Sequence, residues 1–600
     1  MLDYKAPVRD MKFVLHEVLA AAPQLAAMPA TEGVTPDLID TVLDQAARLA
    51  ETQYAPLNRI GDEQGCRFDN GVVNTPDGFV DAYRTFAEAG WIGLTGDPAY
   101  GGQGMPKMLA VCVEEMMMGA NSALALYSVL SAGATLVLAH HATEELRQTY
   151  LPPIYEGRWA ATMCLTEAHA GTDLGMIRTR ATPAGDGSYR VNGSKMFITG
   201  GEHDLTENIV HLVLARLPDA PAGTKGISLF LVPKRLPDIG PNDVPQAGAA
   251  NGVTCASIEH KMGLKGSATC VLNFDDAVGY LVGEVNAGLA CMFTMMNYER
   301  LTVGLQGLAL GEASYQTAAA YARDRLQGRA ATGPAQPDQA ADPLLVHPDV
   351  RRMLLTMRAN TEAARALAAY IGSQLDTAAS HPDQERRERA DKLVALLTPV
   401  AKAAFTDRGF EACVLGQQVL GGHGYIREWG QEQHVRDARI AQIYEGTNGI
   451  QALDLMGRKV VYDKQGLLGV LVDEIQAFVR AGEDGQETAF TSVLKSSLDE
   501  LIRVTQTVKA AAADNPNEVG AASTAYLELL SLVMYCYMWA RMVARATQAL
   551  AGHPADAAFY QAKIHVGCFF LDRLMPRYKS LAEEISAGCD VIMALADDDF

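Results

Sequence analysis

The sequence is short of basic residues relative to acidic ones, lacks any paired-cysteine motif and lacks a leader-like start. Each deficit closes off a class of function. Fifty Lys and Arg against seventy-one Asp and Glu leave a formal net charge of −21. A broadly acidic surface repels phosphate backbones, so nucleic acid is not an expected partner; a local basic patch for one phosphorylated cofactor remains compatible with that balance. The ten Cys form no C-x-x-C pair and no metal-like Cys/His spacing, which reads as reduced thiols in a cytoplasmic protein with no metal. The start, MLDYKAPVRDMKFVLHEVL, has no basic segment followed by an apolar run, so no signal peptide is expected. Met116 to Ala139 is uncharged and long enough to span a bilayer. Gly119, Asn121, Ser122, Ser128, Ser131 and Gly133 interrupt it, so the expectation is two core helices meeting near Gly119–Asn121, without membrane insertion. No tandem repeat of solenoid period is visible.

What is present is an ordinary globular mix, 48% hydrophobic and 20% charged over 600 residues, or roughly four domain-sized units by length. Composition shifts along the chain give the order α, β, α, α. Residues 1–160 read as an N-terminal helical domain. TPDLIDTVLDQAARLAE repeats apolar residues at helical spacing behind a Thr35–Pro36 start. Residues 161–282 read as a compact β domain: NIVHLVLARL, GISLFLVPK and TCVLNFDDAV are short β-rich runs, and Asn192–Gly193 between apolar flanks predicts a hairpin. Residues 283–462 read as a helical bundle, with long helices over 287–325, 346–377 and 385–416. Residues 463–600 read as an additional C-terminal helical domain, with one long core helix in LELLSLVMYCYMWARMVARATQAL and a connecting turn at 514–520. The fold class is thus α+β and mostly α.

Several segments carry residues suited to chemistry. MCLTEAHAGTDLG (163–175) offers the hydroxyls of Thr166 and Thr172 and, at Gly171, room for a ligand to approach the backbone. Alone, it also reads as a capped turn. KMFITGG places Phe197 and Thr199 two apart on a strand, an aromatic and a hydroxyl that suit a flat heteroaromatic ligand; core and edge positions explain the same pair. NYERLTVG sets Glu299–Arg300 in an apolar helix, where a charged pair needs a reason to exist. YARDR has Arg323 and Arg325 for phosphates, or simply a solvated face. In QVLGGHGYIREWG, Gly421, Gly422 and Gly424 end a helix. In RDARIAQIYEGTNGIQALD, Glu445 stands at a break between two helical segments, a place for a shielded carboxylate base or a surface helix end.

Taken together, LTEAHAGTD, KMFITGG, HKMGLKGS, QVLGGHGY and RDARIAQIYEGT, in this order over about 40–460, resemble the acyl-CoA dehydrogenase superfamily. The longer chain and extra C-terminal helices resemble a bacterial subgroup that includes enzymes acting on 3-methylmercaptopropionyl-CoA and relatives acting on other acyl-CoAs. The resemblance implies FAD, bound between the β domain and the second helical domain. Met163, Leu165, Thr166, Gly171 and Thr172 would line the flavin loop, with Phe197 (where Trp is common) and Thr199 at the isoalloxazine. Arg325 would reach the pyrophosphate of a neighbouring subunit's FAD. Gln418, Gly421 and Gly422 would contact the adenosine half, and Thr447 the dinucleotide beside the base. Arg300 and Asn297, with Thr172, Tyr444 and Gly446, would bind the acyl-CoA. Glu445 occupies the position where most of the family carries its base. Glu299 occupies that of a minority, and Glu445 is preferred because the whole IYEGT signature surrounds it.

The implied reaction is α,β-dehydrogenation of an acyl-CoA to the trans-2-enoyl-CoA. In the subgroup this would convert 3-(methylthio)propanoyl-CoA to 3-(methylthio)acryloyl-CoA in dimethylsulfoniopropionate breakdown. Electrons would go to an electron-transfer flavoprotein, and the enzyme would be a homodimer. Alternatives on the same fold are a fatty acyl-CoA dehydrogenase of β-oxidation, an acyl-CoA oxidase and a DNA-associated flavoprotein.

Overall fold

The computed structural model describes residues 4–240, 244–483 and 489–600. Helix α1 (Pro36–Leu49) starts where the Thr35 hydroxyl accepts from the Leu38 N–H, and it buries Ile39, Leu43 and Ala46 at helical spacing. Helix α2 (Ala55–Gln64) leads into a small hairpin, β1 (Arg67–Asp69) and β2 (Val72–Asn74). This hairpin lies inside the stretch expected to be wholly helical. Its two-residue loop is Asn70–Gly71, with φ of +49° and +87°, the left-handed pair that a type I′ turn requires.

Helix α3 (Lys107–His141) is broken at Asn121, where φ is −162° and ψ 89°. The Asn121 side-chain oxygen accepts from the Leu124 N–H at 3.1 Å and so starts a second helix. The apolar run expected to be two core helices is therefore that. Its most apolar window is 83% buried, although its length and composition would also suit a membrane span.

Among the described residues, nine strands follow: β3 (Trp159–Cys164), β4 (Arg180–Pro183), β5 (Tyr189–Thr199), β6 (Asn208–Arg216), β7 (Ile227–Pro233), β8 (Arg235–Ile239), β9 (Pro245–Ala250), β10 (Val253–Ile258) and β11 (Thr269–Val282). Strands β8 and β9 pair as a separate ribbon. The others form a seven-stranded sheet in the order β10-β11-β5-β4-β6-β3, with β7 joining β11 to β6. Strands β6 and β7 are buried almost throughout, which is why both read as continuous apolar runs.

The expected hairpin at Asn192–Gly193 is not formed: both residues lie inside the uninterrupted strand β5. Gly193 (φ +154°) sits where a Cβ would collide with Thr179. The Asn192 side chain accepts from the Asp276 N–H at 2.9 Å, at a bulge where Phe274–Ala277 of β11 oppose Gly193–Val191 of β5. Close approach and bulge chemistry, not a turn, select the Asn–Gly pair here.

The later helices include α4 (Gly288–Asp324), α5 (Pro348–Ser380), α6 (Gln384–Leu420), α7 (Asn448–Asp454), α8 (Asn517–Ala551) and α9 (Ala557–Phe569). The long core helix is α8. The connection before it is shorter than expected, because the helix Ala489–Asp514 runs to within three residues of Asn517.

The chain forms two compact units. One comprises Met1–Asp44, Pro106–Glu115 and Val303–Phe600; the other comprises Gln45–Met105 and Met116–Thr302. The first is helical and is crossed by a buried ion cluster. Arg365 of α5 donates to Asp10, Glu115 and Glu312, and Lys563 of α9 pairs with Asp10 and Glu362. The second holds the sheet and two apolar cores, one of which packs Leu138 and Leu151 against Leu212, Leu229 and Met295.

Candidate active site

In the sheet-containing unit, the chain leaves β3 at Cys164 and enters the loop expected to line a flavin. Glu167 anchors it. Its carboxylate accepts from the Arg178 N–H (2.7 Å), the Thr179 N–H (3.0 Å), the Thr179 hydroxyl (2.6 Å) and the Lys195 ammonium (2.8 Å). Burial opposes this charge, but Lys195 and the hydrogen bonds outweigh it and hold the pKa at about 2. Lys195 of β5 also donates to the Leu165 carbonyl at 3.0 Å, and the Met196 N–H to the Thr166 carbonyl at 2.9 Å. The loop is thus fastened to β5 at its base. Met163, Leu165 and Thr166 are half-buried there, and Gly171 and Thr172 project at its exposed tip. Open space surrounds Gly171 where a Cβ would stand.

One step along β5, alternation breaks. Residues Lys195–Ile198 oppose Leu272–Cys270 of β11, one residue too many, and Phe197 takes φ +60°. Left-handed backbone is unusual for an aromatic residue, and such strain gathers at functional sites. Phe197 is also 56% exposed. Thr199 is half-buried and pairs with Thr269 of β11. A strained, exposed aromatic ring beside a strand-end hydroxyl and an open glycine loop fits a flat heteroaromatic group such as the expected flavin.

Helix α4 carries Asn297, Glu299 and Arg300 in the same unit. Arg300 is buried; it donates to the Asn297 side-chain oxygen at 3.4 Å and lies 5.8 Å from the Phe293 ring centre. Asn297 and Arg300, two of the five residues expected to bind the acyl-CoA, are thus in contact on one helix. Glu299 is 2% exposed, and its Oε1 occupies the space a Cβ would fill at Gly133 of α3.

The helical unit carries Glu445. The chain makes a 3-10 turn over Ile440–Gln442, breaks at 443–446, and restarts as α7 behind Thr447, whose hydroxyl accepts from the Ile450 N–H at 3.2 Å. Glu445 is half-buried, with φ +56°, followed by Gly446 at +81°. Like Phe197, it is a side-chain-bearing residue in left-handed backbone. The Tyr444 hydroxyl donates to the side-chain oxygen of Gln306 on α4. The Gln451 amide donates to the carbonyls of Glu445 (3.1 Å) and Gly446 (3.3 Å). Tyr444, Glu445, Gly446 and Thr447 thus share one short, braced break between helices.

The other expected cofactor residues of this unit are elsewhere in it. Arg325 follows the end of α4, and Gln418, Gly421 and Gly422 close α6. The Tyr321 hydroxyl and His423 Nδ1, 2.9 Å apart, join these two helix ends. All four residues are exposed, and no atom crowds a Cβ position at Gly421 or Gly422. No local sequence signal marks Lys195, the anchoring role of Glu167, Gln306 or Gln451. The period-2 burial expected of β5 hides Lys195 on the core side, and no local pattern pairs Gln451 with a carbonyl six residues earlier.

Family models match along most of the chain. They are the acyl-CoA dehydrogenase N-terminal domain (38–158), middle domain (162–277) and C-terminal domain (286–460), and an acetyl-CoA dehydrogenase C-terminal-like domain (471–596). The chain is 40% identical over 583 residues to 3-methylmercaptopropionyl-CoA dehydrogenase of Ruegeria pomeroyi, covering 96% of each protein. It is 36% identical over 612 residues to the broad-specificity linear acyl-CoA dehydrogenase FadE5 of Mycobacterium tuberculosis, covering 99% of each. Two solved structures share the fold. One is Caenorhabditis elegans ACDH-11 in complex with C11-CoA (TM-score 0.78, 17% identity, 98% of this chain and 95% of that one). The other is an acyl-CoA dehydrogenase complexed with FAD from Bacillus anthracis (TM-score 0.73, 21% identity, 96% and 91%). With a relative 40% identical along nearly its whole length, the chain belongs to the acyl-CoA dehydrogenases, FAD-dependent oxidoreductases acting on the CH–CH group of acyl-CoA thioesters.

Proposed function

We propose that the chain dehydrogenates 3-(methylthio)propanoyl-CoA to 3-(methylthio)acryloyl-CoA with Glu445 as base, and delivers the electrons to an electron-transfer flavoprotein. The observation that carries the choice of base is the left-handed Glu445, braced at a break between helices. The near full-length similarity to a 3-methylmercaptopropionyl-CoA dehydrogenase supports the substrate. The similarity to a broad-specificity linear acyl-CoA dehydrogenase supports, as a second reading, a short-, medium- or long-chain linear fatty acyl-CoA.

The α-proton of a thioester is weakly acidic, so the enolate forming on its oxygen must be stabilised. In this reading the Glu445 N–H donates to that oxygen, and one such donor is worth about 3–4 kcal/mol at the transition state. The Glu445 carboxylate removes the α-proton, contributing on the order of 10²–10⁴ in rate. FAD, when bound, would supply the hydride acceptor for the β-hydrogen. Arg300, oriented through Asn297, holds the CoA portion. Phe197 and Thr199 would hold the flavin ring, and Met163, Leu165, Thr166, Gly171 and Thr172 would line the loop against it. Arg325, Gln418, Gly421 and Gly422 would contact the pyrophosphate and adenosine half of a neighbouring subunit's FAD, and Thr447 the dinucleotide beside the base. The working form in this reading is a homodimer, and the exposure of Arg325 and the Gly421–Gly422 turn is compatible with contact to a second copy.

Anaerobic titration of the purified protein with a panel of acyl-CoAs, following flavin absorbance, tests this reading. Bleaching should be fastest with the methylthio-propanoyl thioester, and an electron-transfer flavoprotein should restore the colour. Preference for a long linear chain overturns the substrate. Rapid peroxide formation under air overturns the acceptor.

A further inference from the structure

We propose that Gln451 is a positioning residue for the base, holding Glu445 in its left-handed backbone; this rests on Glu445 being the base. A residue with a Cβ keeps such a backbone only when its surroundings determine it. Here Gln451 of α7 does so. Its side chain is wholly buried, and its amide donates to two consecutive carbonyls, those of Glu445 at 3.1 Å and Gly446 at 3.3 Å. Two successive peptide planes are thereby fixed. The amide is pressed against the turn: a Cβ at Gly446 would stand 2.7 Å from Gln451 Nε2.

The same side chain leaves its acceptor unmatched, because Gln451 Oε1 is buried without a hydrogen-bond partner. An unsatisfied buried oxygen is a cost that an apolar residue of the same shape would not carry. A purely structural role does not explain that choice. Fixing the turn does, since one uncharged side-chain amide supplies both donors. The direction in which the Glu445 carboxylate leaves the backbone follows from φ and ψ at Glu445. A displacement of about 1 Å at a reacting group costs on the order of 100-fold in rate.

The test uses the full-length FAD-loaded protein, with butyryl-CoA and its α-deuterated form as probes. Gln451→Met keeps the volume and removes both donors. Its kcat should fall about 10- to 100-fold, with KM within about twofold, full flavin content, and a larger α-deuterium isotope effect as proton removal becomes more limiting. Gln451→Glu adds a pH readout. Its carboxyl donates one hydrogen bond when protonated and repels both carbonyls when ionised, so its kcat relative to the parent should rise toward acid.

A Gln451→Met enzyme with kcat within twofold of the parent overturns the proposal. So does a kcat loss matched by an equal loss of flavin. If Gln451→Met does not fold, a pH-independent ratio for Gln451→Glu overturns it. Turnover retained by Glu445→Gln refutes the base itself. Loss of turnover in Glu445→Gln with unaffected Gln451 variants refutes the positioning role alone.

Discussion

Lys195 Nζ lies 2.8 Å from Oε1 of Glu167, and both side chains are buried. The pair fastens the loop that carries Leu165, Thr166, Gly171 and Thr172 to the strand that carries Phe197 and Thr199. Lys195→Met strands a buried carboxylate, an uncompensated charge that costs about 3–5 kcal/mol. The expected outcome is a lower melting temperature together with weaker FAD retention on gel filtration. The double variant Lys195→Met, Glu167→Leu should regain stability without regaining FAD affinity, since nothing then holds the loop. Because the Glu167 pKa is depressed to about 2, the pair's contribution is present above the ordinary carboxylate range. It is lost as pH falls toward 2.

Two carboxylates compete for the role of base, and they differ in setting. Glu445 sits half-buried in a strained break, whereas Glu299 fills the space over Gly133. Glu445→Gln should retain FAD and lose turnover by on the order of 10²–10⁴, read as anaerobic flavin bleaching by acyl-CoA. Glu299→Gln should keep most of the activity. Activity retained in the Glu445 variant and lost in the Glu299 variant would reverse the assignment.

The packing account of Glu299 has its own consequence. Gly133→Ala places a methyl group where the Glu299 carboxylate lies. Overpacking of this kind costs about 1–3 kcal/mol. The melting temperature should fall while turnover per bound flavin stays near the parent value. A selective loss of turnover at unchanged stability would instead tie Glu299 to the chemistry.

Phe197 separates strain from binding. A left-handed backbone costs about 1–2 kcal/mol with a Cβ and nothing for glycine. Phe197→Gly should therefore raise the melting temperature of the FAD-free protein while weakening FAD binding, two effects of opposite sign. Phe197→Trp should keep FAD, because the indole offers the same stacking face. A Phe197→Gly variant with undiminished FAD affinity would remove the ring from the cofactor site.

Long periodic elements were legible in the sequence. The expected spans 287–325, 346–377 and 385–416 correspond to α4, α5 and α6, differing by at most four residues at any end, because apolar periodicity over nine or ten turns leaves no competing reading. The break at Asn121 was legible because small polar residues interrupt an apolar run. The hairpin signal was attached to the wrong Asn–Gly pair: both pairs have suitable flanks, and only the fold shows that Thr179 crowds Gly193 while Asn70–Gly71 turns freely. The charged anchors were invisible for a different reason. Asp10 and Arg365 are 355 positions apart, and Glu167 and Lys195 are 28 apart. No local pattern encodes such a pair. The identity of Glu445 was readable from its motif, but its left-handed backbone and the glutamines that brace it were not.

The buried cluster in the helical unit gives a pH dependence whose sign can be worked out. Four carboxylates, Asp10, Glu115, Glu312 and Glu362, face three cations, Arg358, Arg365 and Lys563. One negative charge is in excess, so one proton is favoured inside the cluster. Burial raises the Glu115 pKa to about 7 despite its contact with Arg365. Asp10, although also buried, is held at about 2 by Lys563 and Arg365. A group whose folded pKa is raised contributes stability below its unfolded value and loses it as pH rises through the folded value. Glu115 should therefore make the protein progressively less stable from about pH 4.5 to 7, by at most ~3 kcal/mol. Glu115→Gln mimics the protonated form and should flatten that slope in denaturant melts across this range, matching the parent near pH 5 and exceeding it near pH 8. A slope unchanged by the substitution would place the excess proton on another member of the cluster.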